Sequence, residues 1–210
     1  YTDAALEFLR QQPKEVPFFL YLALQSPHDP RTAPPDFHAL FNPEAIPTPD
    51  AFLPEHPFRI GDDRVRDELL APYPRTPEIV RRHTADYLAM ISHDDHQMGR
   101  IMSLLKERGL YEKTIIVITG DNGLALGRHG LFGKQNVYDH SVHVPLILAG
   151  PGIRRGRRLD ALCYLFDIYP TLCDLCGLKV PESVQGLSLV GSLQGKSEHR
   201  KALMFAYKNY

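Results

Sequence analysis

The spacing of apolar positions divides the chain into helical and extended stretches. Leu6, Phe8 and Leu9 recur at helical intervals after Thr2 and Asp3, either of which suits an N-cap, and Pro13 stops the run. That predicts a first helix reaching about Gln12. The next run, from Val16 to Gln25, is aromatic and apolar on both faces, which predicts a central strand over Phe18–Leu24. Thr76-Pro77-Glu78 then joins an N-cap to a proline at the first helical position. Val80, Tyr87, Ile91, Met98, Ile101, Met102 and Leu105 follow at intervals of three and four. They form one apolar stripe, so a long helix is expected from Glu78 to Leu105, closed by Gly109.

Two β-branched or aliphatic runs, Thr114–Thr119 and Val144–Leu148, read as buried strands. Leu162–Phe166 is a short strand candidate. A helix follows with Asp167 as N-cap and Gly177 as C-cap, and Ala202–Tyr207 could pair as an edge strand. This order predicts an α/β fold: a mainly parallel central sheet flanked by helices, with the long helix on one face. Residues 31–75 break the pattern, because Pro34, Pro35, Pro43, Pro47, Pro49, Pro54, Pro57, Pro72 and Pro74 suppress periodicity. A linker is one reading of this stretch. A long ordered loop that shapes a cleft is the preferred one.

Composition changes this picture little. The chain has 210 residues, enough for one sizeable core, and 43% are hydrophobic. A net charge of −1 gives no bulk field for nucleic acid, and no apolar run approaches the roughly 18–20 residues of a membrane span. No nucleic-acid or membrane partner is therefore expected. Cys173 and Cys176 form a C-x-x-C pair, but Cys163 is the only other cysteine, so neither a four-cysteine zinc site nor a disulfide framework is available. The cysteines read as buried small hydrophobes.

Candidate chemistry gathers where strands end. The strand Thr114–Thr119 runs into Gly120-Asp121-Asn122-Gly123, at the carboxyl end where α/β sheets place ligands. Asp121 and Asn122 offer two hard oxygens, suited to Ca2+ or Mg2+ rather than a soft metal. Lys134, after Gly133, brings one cation to a loop suited to an oxyanion. His28 stands between Pro27 and Asp29-Pro30, just past the predicted strand, with its backbone fixed on both sides. His38 and His56 read as solvated. Asp94 and Asp95 interrupt the helix stripe beside His93 and His96; the preferred reading is a partly buried Asp95 with solvated histidines. The arginines of residues 152–158 read as a solvated basic turn, with polyanion binding as the alternative.

Several separated blocks also resemble one family. Thr119-Gly-Asp-Asn-Gly, His129-Gly-Leu-Phe-Gly-Lys134, Tyr138-Asp-His-Ser and Val144-Pro-Leu-Ile stand in the order of the sulfatase active-site segment. Pro27-His28-Asp29-Pro30 resembles the family's Pro-His-x-Pro, Asp95 to Gly99 its Asp-x-x-x-Gly helix motif, and residues 184–189 its V-Q-G-x-S-L block. The resemblance implies an alkaline-phosphatase-like layered fold, present as a partial domain. It also implies Asp121 and Asn122 as metal ligands, with Ca2+ the expected ion and Mg2+ the alternative. His28 and Lys134 become catalytic and substrate-binding residues, and His129 a further substrate contact. The substrate would be a sulfated small molecule or glycan.

The sequence departs from that pattern in two respects. The family's nucleophile is a cysteine in C-x-P-S-R or C-x-A-x-R, oxidised to formylglycine, and none of Cys163, Cys173 and Cys176 stands in such a context. An Asp-Asp pair that completes the metal site is absent too. Residues 1–210 are thus expected to be the C-terminal portion of a sulfatase catalytic domain, with the metal and Lys segment at 114–152 and a missing N-terminal half. Alone the chain is expected to be inactive, with an incomplete metal site and a tendency to self-associate through open strand edges. The alternatives are a phosphonate monoester or phosphodiester hydrolase of the same superfamily, and a non-enzymatic binding module.

Overall fold

The computed structural model describes residues 1–59, 65–196 and 199–207. The chain divides into two compact units, one of Tyr1–Tyr111 with Gly123–Ser141, the other of Glu112–Asn122 with the residues from Val142 onward.

In the first unit, helix α1 (Thr2–Gln11) buries Ala5, Leu6 and Leu9. No side chain caps it; Tyr1 occupies the N-cap, where Thr2 or Asp3 was expected. It packs against the long helix α3 (Pro77–Glu107), while the single turn α2 (Pro35–His38) covers α3 farther along. The α3 N-cap is the expected one, since Thr76 Oγ accepts the Ile79 N–H at 3.4 Å. Its buried face runs through Val80, Ala85, Ala89, Met90, Leu104 and Leu105, whereas Ile91, counted in the stripe, remains 40% exposed. Alanines on the inner side let neighbouring backbone approach, and a stripe counted on large residues overlooks them. Asp95 is exposed, and Asp94 is instead the half-buried acid, its carboxyl pushed up by burial. Phe37 packs near both histidines, with ring centroids 5.0 and 5.8 Å from His93 and His96; His93 is half-buried, and His96 is exposed as expected.

The second unit holds strands β1 (Ile116–Thr119) and β2 (Leu146–Ala149). They pair antiparallel, Ile116 opposite Ala149 and Thr119 opposite Leu146, which corrects the expectation that neighbours in the sheet run parallel. The reason is topological. A parallel pair needs a crossover that returns the chain to the end where the first strand began, and here β2 begins opposite the last residue of β1. Gly150 permits the close approach, since a Cβ there would meet Thr114 O at 2.5 Å. Helix α4 (Ile168–Leu175) has Asp167 at its N-cap as expected, but the carboxylate makes no capping hydrogen bond to the helix.

Asp167 is instead a hub. It is fully buried and accepts hydrogen bonds from Tyr164 N, Leu187 N, His199 Nε2 and the Arg200 guanidinium. Burial alone would raise its pKa, yet the Arg200 hydrogen bonds and those from Leu187, Tyr164 and His199 outweigh it and hold the carboxyl well below the ordinary range. The V-Q-G-x-S-L block packs here: a Cβ on Gly186 would meet Phe166 O at 2.4 Å, so only glycine fits. Leu162–Phe166 runs into a 3-10 turn at Leu165–Asp167 rather than forming a strand, and Ala202–Tyr207 docks through Met204 on the Tyr164 hydroxyl, with no strand pairing among the described residues.

Phe18–Leu24 corrects a further expectation. Burial alternates as in a strand, but among the described residues the segment pairs with no other, and Phe19 and Tyr21 are 77% and 81% exposed. An extended segment becomes a strand only when a neighbour takes its backbone groups. The Pro-rich loop 31–75, whose residues 60–64 lie outside the described residues, is ordered against the loop that leads to Lys134.

Candidate active site

The loop from Ala125 to Lys134 builds half of the site. Gly127 N donates to Leu131 O at 2.8 Å and Ala125 N to Gly133 O at 3.0 Å, which closes it into a lasso. Leu126 and His129 take left-handed backbone at φ 48° and 55°, a conformation non-glycine residues hold only when their surroundings over-determine it. The Pro-rich loop does so at two places. His129 N donates to Ala51 O at 2.6 Å, and His56 Nδ1 donates to His129 O at 2.6 Å. Gly130 lies so close that a Cβ would sit 2.3 Å from Glu55 C. His56 is therefore a structural donor, not a solvated residue.

The second clamp is ionic. Glu68, 2% exposed, accepts the Phe132 N–H at 2.9 Å and the Gly133 N–H at 2.7 Å. Its carboxylate also meets Arg75 Nη2 at 2.7 Å. Arg75 in turn donates to Ala71 O and Glu68 O, and its guanidinium lies 3.7 and 4.7 Å from the Tyr73 and Phe132 ring centroids. A buried ion pair is tolerable only when its remaining donors and acceptors are satisfied, and here they are. The result fixes the backbone one residue before Lys134.

Lys134 is half-buried and, among the described residues, has no ion-pair partner. Its backbone N–H donates to Gln135 Oε1 at 3.0 Å, and Gln135 Nε2 donates to Asp67 Oδ2 at 2.9 Å. Asp67 Oδ1 accepts Arg66 Nη2 at 2.9 Å, and that nitrogen also reaches Asp29 Oδ1 at 3.0 Å and His28 Nε2 at 3.4 Å. The structure thus joins His28 and Lys134 at the two ends of one polar chain. His28 Nδ1 donates to Asp29 O at 2.9 Å; with Arg66 donating to Nε2, the hydrogen-bond network assigns the neutral Nδ1–H tautomer. Burial would raise the Asp67 carboxyl, but hydrogen bonds from Gln135 and Arg66 and the charge of Lys134 lower it overall.

His129 lies at the tip of the lasso, in the turn closed by Gly127 and Leu131. Its ring stacks on Tyr138 with centroids 4.5 Å apart, and Tyr138 in turn stacks on His140. Burial, with the charges of His129 and Arg128, lowers the His140 pKa to about 4.

Asp121 and Asn122 belong to the other unit, just beyond β1. Thr119 Oγ donates to Pro145 O at 2.9 Å and fixes that strand end. Asp121 is exposed, and among the described residues no hydrogen bond or ion pair engages the side chain of either residue. Two open hard oxygens fit a divalent cation, though they are a small share of the six or more that Ca2+ gathers. No group of three or more His, Cys, Asp and Glu able to hold a metal occurs among the described residues, the His93 to His96 cluster included.

Arg66, Asp67, Glu68, Arg75 and Gln135 escaped the sequence reading. The one local signal was a pair of acids, Asp67-Glu68, followed by an arginine set between Pro74 and Pro77 in an otherwise apolar stretch.

The fold is that of the alkaline-phosphatase-like hydrolases. The phosphonate monoester hydrolase SpPMH from Silicibacter pomeroyi superposes with a TM-score of 0.78 at 32% identity, over 93% of this chain and 42% of that one. A structure solved in complex with its substrate D-glucosamine-2-N,6-O-disulfate gives a TM-score of 0.81 at 25% identity, over 100% of this chain and 55% of that one. The sulfatase family model matches residues 1–178, and the chain belongs to that family. Among its relatives is the arylsulfatase K of Mus musculus, 32% identical over 220 residues, covering 97% of this chain. The chain spans 39% of that relative's length. No described helix is long and apolar enough to cross a membrane.

Proposed function

We propose that this chain is part of a sulfuric-ester hydrolase and supplies its cation-binding oxygens, its acid and its electrostatic lysine. Residues 1–210 form the later portion of the catalytic domain, and the nucleophile comes from outside them. Of the cysteines read as buried, only Cys173 is; Cys163 is half-buried, its thiol pushed up by burial and away from the thiolate a nucleophile needs, and Cys176 is exposed but lacks the sequence context of the family's nucleophile. The substrate is a sulfated small molecule or glycan; the disulfated glucosamine complex among the structural relatives supports that class.

Each residue has a distinct role in this reading. Lys134 places a point charge beside the ester and offsets charge that develops in the transition state. His28 hydrogen-bonds the ester oxygen through Nε2 and delivers a proton to the leaving group; Nε2 carries no proton while it accepts from Arg66, so it must release Arg66 and take up a proton from solvent before it donates that proton to the ester oxygen. His129 presents a ring edge to the substrate from its stack with Tyr138. Asp121 and Asn122 hold Ca2+, which when bound neutralises sulfate charge and lowers the barrier to attack. The observation that carries the reading is the single polar chain that joins His28 to Lys134.

Turnover of an aryl sulfate by the full-length protein tests it. His28→Ala and Lys134→Ala are each expected to lower kcat by about 10²–10³ with folding intact by circular dichroism. Near-wild-type rates in both variants would falsify the assignment. The likeness to SpPMH favours a second reading, hydrolysis of phosphonate monoesters. A kcat/KM for a phenyl phosphonate ester above that for the aryl sulfate would select it.

A further inference from the structure

The Pro-rich loop does more than border the site. We infer that Asp67 is a positioning residue that sets His28 and Lys134 relative to each other, through Arg66 on one side and Gln135 on the other. The inference rests on the roles just given to His28 and Lys134. Asp67 is 4% exposed, so its two oxygens face only protein, and each serves a different catalytic arm. Oδ1 holds the Arg66 guanidinium, whose Nη2 also contacts Asp29 and His28 Nε2. Oδ2 holds the Gln135 amide, whose oxygen accepts the Lys134 N–H.

Only a carboxylate can do this. An acceptor-only group takes both donors at once. The isosteric asparagine would accept from Arg66 or from Gln135, and would turn its own N–H2 toward the other donor. The arrangement also gives the rotamer-rich Arg66 side chain, 62% exposed, a fixed pose at the His28 ring. A misplacement of about 1 Å can lower a rate about 10²-fold, so a relay of this kind acts on catalysis without touching the substrate.

The test uses the full-length protein and divides the relay into its branches. Arg66→Ala removes the His28 branch, Gln135→Ala the Lys134 branch, and Asp67→Asn weakens both at constant volume; Asp36→Ala, an exposed acid on α2, is the control. Steady-state kinetics on an aryl sulfate should show kcat lowered about 10-fold or more in the three relay variants, KM within about 3-fold, and Asp36→Ala unchanged. Arg66→Ala combined with Asp67→Asn should be no worse than the stronger single variant, because both break one connection. Histidine 15N correlation spectra give a readout that does not need turnover. The wild type should show His28 as the Nδ1–H tautomer, while Arg66→Ala and Asp67→Asn shift it toward a mixture and Gln135→Ala leaves it alone. Wild-type kcat in Asp67→Asn, or an unchanged His28 tautomer in both Arg66→Ala and Asp67→Asn, overturns the inference. A failure of the functional reading looks different: His28→Ala and Lys134→Ala would then be silent, whatever the His28 spectra show.

Discussion

Two acidic sites in this chain have opposite surroundings. Asp67 and Glu68 are buried, and every oxygen of theirs accepts a donor from Arg66, Arg75, Gln135 or the 132–133 backbone. Asp121 is exposed at a strand end and, among the described residues, carries no hydrogen bond. An acid saturated by protein donors shapes the chain, and an acid left with open oxygens is available to a ligand. The first site is therefore read as scaffold and the second as chemistry, although the sequence displays each only as a short polar pair, Asp67-Glu68 and Asp121-Asn122.

The largest expected effect strikes the scaffold. Glu68→Ala leaves Arg75 charged and buried, and leaves two N–H groups without an acceptor. Breaking a buried pair this way costs about 3–5 kcal/mol, and urea unfolding should show a loss of that size. Asp121→Ala should change stability by no more than about 0.5 kcal/mol. Comparable losses in the two variants would end the distinction between the sites. Gly130→Ala comes next, with a loss above about 1 kcal/mol, because the new methyl meets the Glu55–His56 backbone and the residue holds φ 77°.

Smaller and more gradual is the effect of acid. Burial holds His83 and His140 at a pKa of about 4, below the ordinary 6.5, so the unfolded chain binds protons first. Stability should thus fall as pH drops from about 6.5 toward 4. Asp167 is depressed instead, so its contribution is present above the ordinary carboxyl value of 3.8 and is lost only as pH falls below it. Denaturant midpoints measured from pH 7 to pH 3 should show the two stages. Asp167→Asn should flatten the lower stage alone.

The residues proposed for the chemistry stand out in the sequence because each lies in a local block. Asp121 and Asn122 follow one strand, Lys134 one glycine and His28 one proline, and each forms part of a contiguous block. The long helix was legible through its cap at Thr76 and its stripe, apart from the alanines at 85 and 89. The scaffold was not, because its bonds link residues 64 and 68 positions apart and leave no periodicity to detect. Pairing direction was hidden for a related reason. A β-branched run at residues 115–118 signals burial but not which neighbour it meets, and the run Phe18–Leu24 signals a strand without supplying its partner.

The central claim is that Asp121 acts through a cation and Lys134 through its own charge. The direct measurement is turnover of one aryl sulfate against Ca2+ concentration, in the full-length protein and in Asp121→Ala and Lys134→Ala. Activity lost in Asp121→Ala should return in part at high Ca2+, with the midpoint of the titration moved upward, while Lys134→Ala stays low at every concentration. Recovery of Lys134→Ala by Ca2+, or an Asp121→Ala titration that overlays the wild type, would contradict the account.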